Sequence, residues 1–467
     1  MKRYLILLPL LFALSIGTLL AGHRWINSAR DQIEITETVL AGDPAAAGVT
    51  ITYSAEDQDR QLLWNTVFSP GRAGEAETDF TLSLVSRNYP HTWSDYVSIY
   101  TFGNMGYSTS SSSDWLADRD ANTPDTPILA IRDVVGRTQN GEERTETVRL
   151  ADYYEYYPLV LDAGRGYMWD SMSSLDIQRF SDYFRLKVPE EKRIKITVQK
   201  DEDGNLVHLR IDLPENDPWD DLDVRGVVVD SGIYLIATSV TEGVPDDRLQ
   251  CPDGPGVHFI PALEDLEDAE PPGRYLWWDP AGIRLFYPTG EARTADLSLS
   301  RDESKLLLYA VESGRLALTV LDIETGTALQ HLDLMAFEEE SGRLTWLAQD
   351  DLLYIQQGDT FCLIQETDGQ YKTVLTGRPS EELDLYYPNC TRLAWDGQRM
   401  AFVTAAEYCC AYTSGIGSQI LLGVWDAAGL QFLGAYDYSI SRDPYAQRNL
   451  FGYSSTYDPL QIAFSGP

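Results

Sequence analysis

The stretch LSLSRDESKLLLYAVESGRLALTVLDIETGTALQHLDL, residues 297–334, decides how this chain is read. It opens on a strand-like alternation, Leu297-Ser298-Leu299-Ser300, and breaks at the polar run Arg301-Asp302-Glu303-Ser304. An apolar run over 306–311 follows, then Ser313-Gly314, a pair suited to a tight hairpin because glycine takes positive φ without steric cost. A third run ends at Asp322, and Thr325-Gly326 turns the chain into a fourth. Two further stretches repeat this order. One is RLTWLAQDDLLYIQQGDTFCLIQETDGQYKTVL (343–375); the other is RLAWDGQRMAFVTA (392–405), continued after an insertion by ILLGVWDAAGLQFLGAY (420–436). Aligned on Leu299, Leu344 and Leu393, the units recur at about 45 to 50 residues, with four strand signals in each.

Four strands in a repeat of that length are the pattern of a β-propeller blade. At these residues the chain resembles the TolB-like and WD-repeat-like propeller superfamily, most clearly over 297–436. Ser300-Arg301-Asp302 stands where such blades carry Ser-Pro-Asp-Gly, with Arg301 in place of the proline. Asp322-Ile323-Glu324-Thr325-Gly326 resembles their exit from the third strand. The resemblance implies structural turns and brings no catalytic residue with it. Extended towards the N-terminus, the pattern places further blades near 48–100, 127–164, 182–213 and 224–287. The expected fold is therefore all-β: a propeller of about seven irregular four-stranded blades over 48–467, with two β-sandwich domains, one per half, as the alternative. The strongest hairpin cue is Asp203-Gly204, between KITVQ and LVHLRI, and the best helix candidate spans 175–184. An open ring would expose unpaired edge strands, so the closing LQIAFSGP (460–467) is expected to pair with a strand from the first third of the chain.

The N-terminus reads differently. After Lys2 and Arg3 comes YLILLPLLFALSIGTLLAG, residues 4–22, without a charge. Its about 19 residues would reach roughly 28 Å as a helix, enough for a bilayer core. A signal peptide has a shorter apolar region of about 7–15 residues and a small-x-small cleavage site, whereas Leu19-Leu20-Ala21 puts a bulky residue where a small one is preferred. The expectation is a signal anchor over 1–22, a stalk with a first short strand over 23–47 and a single-pass protein whose body lies outside the cell membrane. A cleaved signal peptide and a secreted body form the alternative.

Composition narrows the partners. With 72 acidic against 36 basic residues and a net charge of −36, the body repels phosphate backbones, so no nucleic acid is expected. No cofactor is expected either. Calcium at the acidic loops Asp217, Asp220, Asp221, Asp223 and Glu264, Asp265, Glu267, Asp268, Glu270 is the alternative, although neither run has the spacing of a calcium-binding loop. Four of the five cysteines fall in the last quarter. A Cys390 bridge to Cys409 or Cys410 would close a loop of about twenty residues and add roughly 3 kcal/mol, with buried thiols as the other reading. Aromatic residues beside carboxylates offer a ligand platform at Tyr153, Tyr154, Tyr156 and Tyr157 and at Trp277 and Trp278, against the alternative that they fill the space between sheets. Tyr275, Tyr386 and Tyr387 belong to the same reading.

No G-x-S-x-G, H-E-x-x-H or P-loop occurs, and the five histidines are scattered without ligand spacing. The chain thus reads as a binding module for protein, peptide or envelope glycan, leaning away from enzyme. The alternative is a glycan-active hydrolase whose paired carboxylates would meet only in space.

Overall fold

In the computed structural model, residues 297–334 form the second half of one strand and three that follow it, all antiparallel, and the turns show why. Asp302 Oδ1 accepts from Ser300 Oγ at 2.7 Å and from Ser304 Oγ at 2.8 Å, while Ser300 Oγ accepts from the Lys305 amide at 3.0 Å. These hydrogen bonds, the Ser300 hydroxyl first among them, hold the Asp302 carboxyl down at about 2. Ser313 and Gly314 both take positive φ, 50° and 75°, the twist a two-residue hairpin needs. Asp322 Oδ1 accepts from the amide and hydroxyl of Thr325, and Gly326 leaves the turn at φ 70°.

The structure describes residues 2–30, 33–56, 62–83, 97–100, 107–109, 116, 126–163, 174–212, 224–237, 249–262, 278–338, 344–380, 391–406, 418–439 and 460–465. The chain divides into two compact units, Met1–Thr92 with Glu340–Pro467, and Trp93–Glu339. The sandwich alternative of one domain per half does not match this division, because the first unit takes both ends of the chain.

Strands β1 (Glu34–Gly42), β2 (Val49–Glu56), β3 (Leu62–Phe68) and β4 (Glu77–Leu82) open the first unit. The second unit holds β5 (Val97–Tyr100), β6 (Tyr107–Thr109), β7 (Glu143–Arg149), β8 (Val160–Ala163), β9 (Arg185–Leu186), β10 (Arg193–Lys200), β11 (Leu206–Asp212) and β12 (Val224–Val229). It continues with β13 (Gly232–Ala237), β14 (Leu249–Gln250), β15 (Gly256–Pro261), β16 (Arg284–Pro288), β17 (Arg293–Leu299), β18 (Lys305–Glu312), β19 (Arg315–Asp322) and β20 (Ala328–Ala336). The first unit resumes with β21 (Thr345–Gln349), β22 (Leu352–Gln357), β23 (Thr360–Thr367), β24 (Gln370–Gly377), β25 (Thr391–Trp395), β26 (Met400–Ala406), β27 (Ser418–Asp426), β28 (Gly429–Ser439) and β29 (Leu460–Phe464). The helices are α1 (Lys2–Arg30), the single turn α2 (Pro44–Ala47), α3 (Ile128–Arg137) and α4 (Ser174–Tyr183).

The first unit has three sheets, ordered β29-β2-β3-β4, β1-β28-β27-β26-β25 and β21-β22-β23-β24. The last strand does pair in the first third: Val49 lies opposite Phe464 and Tyr53 opposite Leu460. The short strand expected within 23–47 is β1, and it joins the body as the edge strand beside β28, from Glu34 opposite Ser439 to Gly42 opposite Phe432. Arg399 clasps this closure. It donates to the Ala46 carbonyl at 3.1 Å, binds Asp396 at 2.9 Å, and its guanidinium lies 4.7 Å from the centroid of Phe464. Between the sheets Tyr53 and Tyr438 meet edge to face at 4.7 Å, and Tyr438 shares a 3.0 Å hydrogen bond with Thr66. Glu37 accepts from the Gly71 amide and from the Tyr436 hydroxyl, which ties β1 down a second time.

The second unit has sheets β17-β18-β19-β20 and β12-β13-β15-β16, a sheet β6-β11-β10-β7, and the pairs β5-β8 and β14-β9. The first two sheets pack face to face through Leu297, Leu306 and Leu308 on one side and Val227, Tyr234 and Phe259 on the other. Tyr234 donates to the Ile323 carbonyl at 2.8 Å and Thr294 to that of Ala237 at 2.5 Å, so the seam is hydrogen-bonded as well as apolar.

Two expectations change. The blades placed near 127–164 and 182–213 share one sheet, because β7 pairs with β10 from Arg149–Arg193 to Glu143–Gln199. Six sheets of four or five strands therefore stand, among the described residues, where about seven were expected. Residues 128–137 are helical. The buried positions Ile128, Ala130, Ile131 and Val134 of α3 follow helical spacing and cover β7 and β10. The helix expected over 175–184 is present as α4, and the 224–287 blade is the sheet of β12, β13, β15 and β16.

Among the described residues no helix is long and apolar enough to cross a membrane. The side chains of α1 are described from Pro9 to Arg24, a shorter stretch than the about 20 residues a bilayer core takes.

Candidate functional site

The densest group of polar side chains with chemistry of their own lies in the second unit, where α4 ends against β15. The helix stops at Tyr183, and the Phe184 amide still bonds back to Phe180 at 2.9 Å, which aims the Tyr183 ring off the helix end. Its hydroxyl donates to Asp253 Oδ2 at 3.0 Å and lies 3.1 Å from His258 Nδ1. A phenol has one proton. With that proton on Asp253, Nδ1 must carry its own and donate to the phenol oxygen, leaving Nε2 as the acceptor.

The rest of the group follows from local backbone. Cys251 to Gly254 is a tight turn closed by the Gly254 amide on the Cys251 carbonyl, with Gly254 at φ 90°. It places Asp253 at the surface and the half-buried Cys251 thiol beside Tyr183. His258 is 2% exposed and is met edge-on by Tyr183 and Phe184 at 5.6 and 5.1 Å. Burial lowers the His258 pKa to about 4, against the opposing pull of Asp253. Burial, then the hydrogen bond and charge of Asp253, push the Tyr183 phenol far up. At neutral pH the imidazole and the phenol are thus both uncharged, the imidazole a weak base at a pKa of about 4 and the phenol held protonated. What the arrangement does is fix the end of α4 and present the 251–255 turn.

The aromatic residues singled out in the sequence divide by depth. Tyr154 and Tyr157 are core residues, 7% and 0% exposed, and Trp278 is 8% exposed, so these three rings are turned away from a solvent-facing platform. The Tyr154 hydroxyl accepts from the Leu129 amide at 2.9 Å at the start of α3, and burial pushes its pKa up to about 12. The Trp278 indole N–H has no partner among the described residues. Tyr153 and Tyr156 are half-buried at the edge. Tyr153 donates to Asp133 at 2.5 Å, which with Arg137 lowers that carboxyl, and Tyr156 lies 5.9 Å from the Arg185 guanidinium.

Trp277, Tyr275, Tyr386, Tyr387, Cys390, Cys409, Cys410 and both acidic loops lie outside the described residues. Cys362 is a buried thiol whose pKa burial raises to about 12. Among the described residues, no three of His, Cys, Asp or Glu are placed to hold a metal ion. Sequence reading missed the Tyr183–His258 group because its members are 75 residues apart. The one available signal was a histidine inside the apolar run Gly256–Pro261.

No family model and no curated protein match the sequence. Among solved structures the chain is similar to a putative 6-phosphogluconolactonase from Bacteroides fragilis, at 10% identity and a TM-score of 0.25 over 86% of this chain and 84% of that one. The periplasmic gluconolactonase PpgL of Pseudomonas aeruginosa is similar at 10% identity and a TM-score of 0.25, over 82% and 81%. A functionally unknown protein from Desulfotomaculum acetoxidans is similar at 11% identity and a TM-score of 0.28, over 90% and 100%. At such TM-scores these likenesses carry no argument, and the chain's own sheets and side chains have to supply it.

Proposed function

We propose that this chain is a membrane-tethered, extracytoplasmic β-propeller that binds a protein, peptide or envelope glycan and has no catalytic step of its own. The observation that carries the tether is α1. Its described side chains include Leu10, Leu11, Phe12, Leu14, Leu19 and Leu20, each more than half exposed, so the helix offers a large apolar surface that the body does not cover. The tether then enters the body as a strand, since α1 ends at Arg30 and β1 begins at Glu34.

The propeller reading is supported by sheets that are mostly consecutive meanders and whose first strands lie against each other, β12 on β17 in one unit and β25 on β29 in the other. Inner strands of neighbouring blades meet in that way, and β29 completing the sheet of β2–β4 is the overlap a ring requires.

Membrane fractions washed with alkaline carbonate test the tether, with N-terminal sequencing of the retained chain. The full chain in the pellet is expected; a soluble chain beginning near Gly22 overturns it. An experimental structure with fewer than five radial blades overturns the propeller.

A further inference from the structure

Strand β1 stands apart from the sheet it completes. Strands β25 to β28 are a consecutive meander, and the other large sheets among the described residues have four strands. β1 is a fifth, brought from the opposite end of the chain to the outer edge of β28. None of its nine residues is buried, whereas Phe432, Leu433, Ala435, Tyr436 and Tyr438 of β28 are. The pairing is also imperfect. Val39 lies opposite Gly434 and Ala41 opposite Leu433, so Leu40 is an extra residue in a bulge. Val39 and Leu40 are 46% and 44% exposed, which leaves two large apolar side chains in water. Gly42 then turns the chain away at φ 77°, in a place where a Cβ would run into the Gln431 carbonyl oxygen. A glycine in that conformation, directly after a bulged edge strand, is suited to act as its hinge.

What fastens β1 is specific. Glu37 accepts from the Gly71 amide with both oxygens, at 3.0 and 2.9 Å, and from the Tyr436 hydroxyl at 3.1 Å. Ile35 packs half-buried against the core of Tyr53, Phe68 and Tyr438, and Ala41 against that of Leu433 and Ala435. Main-chain pairing along an edge, with side-chain pockets at set positions, is how a sheet recognises an extended peptide.

From this arrangement we infer that the β28 edge is a docking site for an extended segment of a partner protein, and that β1 is an autoinhibitory strand which the partner displaces. The pockets set the motif. In the numbering of β1, the incoming segment carries an apolar residue at 35, a carboxylate at 37 and a small residue at 41. Position 36 discriminates. Thr36 lies opposite Asp437 and both are exposed, so a lysine or arginine there gains a cross-strand ion pair that β1 lacks. The negative field of a chain at −36 favours the same cation. A regular strand also keeps its ladder through position 40, where β1 bulges. A second copy of this chain is the poorer occupant. Two bodies of that charge repel each other. Only Asp43 separates β1 from α2, which itself lies on β28, so exchanging β1 would press one body against the other.

The inference rests on the reading of the chain as a membrane-tethered binding module, and the two can fail separately. The test is fluorescence anisotropy of the detergent-solubilised full chain with a labelled peptide of residues 33–42, IEITETVLAG, and with its Thr36→Lys and Glu37→Ala forms. The chain's own β1 competes at the effective concentration of a short linker, about millimolar, so the parent binds weakly. It should still bind the Thr36→Lys peptide up to about fivefold more tightly than the unmodified one, and the Glu37→Ala peptide least. Loosening the resident strand should open the site. The chain with Glu37→Ala is expected to bind the unmodified peptide about tenfold more tightly than the parent does, because the peptide returns the lost carboxylate. A disulfide from Thr38→Cys and Ala435→Cys, opposite each other in register, should abolish binding until it is reduced. The inference is overturned if no peptide binds either the parent or the Glu37→Ala chain, if the three peptides bind alike, or if the locked chain binds as tightly as the reduced one. Chains that bind no peptide but dimerise by exchanging β1 also overturn it, in favour of a second copy. An envelope glycan bound equally by locked and reduced chains that ignore the peptides keeps the binding module and loses this inference. A soluble chain that binds the peptides in the expected order keeps this inference and loses the tether.

Discussion

Two sheets of the second unit show how differently the same strand geometry can be used. In β18 and β19 six consecutive residues of each strand are buried, so that sheet is covered on both faces. In β10 burial alternates residue by residue, so the sheet of β6, β11, β10 and β7 is covered on one. The sequences say as much: KLLLYAVE is a continuous apolar run, and RIKITVQK alternates. A run without alternation marks a sheet sandwiched between neighbours, and strict alternation marks a sheet that meets water. The contrast separates where the molecule stores its stability from where it has surface left to offer.

The widest separation should come from cutting each sheet to alanine. Leu318→Ala in β19, at a site with no exposure, is expected to cost about 2–5 kcal/mol, whereas Thr197→Ala on the open face should stay within about 0.5 kcal/mol. Urea unfolding reads both, and equal effects would erase the distinction between the sheets.

Next in size is a pH effect at the seam of α4 and β15. The folded His258 value of about 4 lies below the 6.5 of an unperturbed imidazole, so the unfolded chain takes up the proton first. Stability from this group is whole above about pH 6.5 and falls as pH drops towards 4, by up to about 3 kcal/mol. His258→Leu should flatten that part of the profile in unfolding measured across the window; a parent profile no steeper than the variant's would refute it.

The clasp of the first unit comes third. Arg399→Ala removes hydrogen bonds to the Ala46 carbonyl and Asp396 and a cation over Phe464, and should lower the unfolding midpoint by the equivalent of about 2 kcal/mol. Hydrogen exchange should place the new opening at β29 and β2, and unchanged protection there would show that the strands hold without it. A smaller loss than at the clasp is expected at the β18–β19 hairpin, where Gly314→Ala has open space but must take a φ of 75°, costing about 1 kcal/mol.

Most of the fold was legible where its causes are local. Ser313-Gly314 and Asp368-Gly369 both have paired positive φ values, and the turn of Ser300 and Asp302 is built from its own side chains. The closing strand was legible for a different reason, since an open edge has to be answered somewhere. Pairings decided at a distance were not legible. Nothing in 143–149 names 193–199 as its partner, and ILAIRDVVGR, rich in β-branched residues, looks like a strand until β7 and β10 offer its apolar stripe a surface. The Tyr183–His258 contact was illegible for the same reason. YYEYYP was legible as a pattern, but which of its rings would be buried depended on α3 and β9, as Tyr154 on Leu129 and Tyr157 on Leu186 show.

The closure of the first unit by β29 sets an order of events on the ribosome. Strands β2 to β4 are made long before β29, the partner of β2, and β1 must wait for β28. Until then two strand edges stay open, the state in which chains aggregate or are captured by chaperones. A transcript cut short anywhere before residue 460 therefore yields a product with an unfinished first sheet, however intact its middle. The closing strand makes the first sheet conditional on synthesis through residue 464, because β2 has no other partner on that edge.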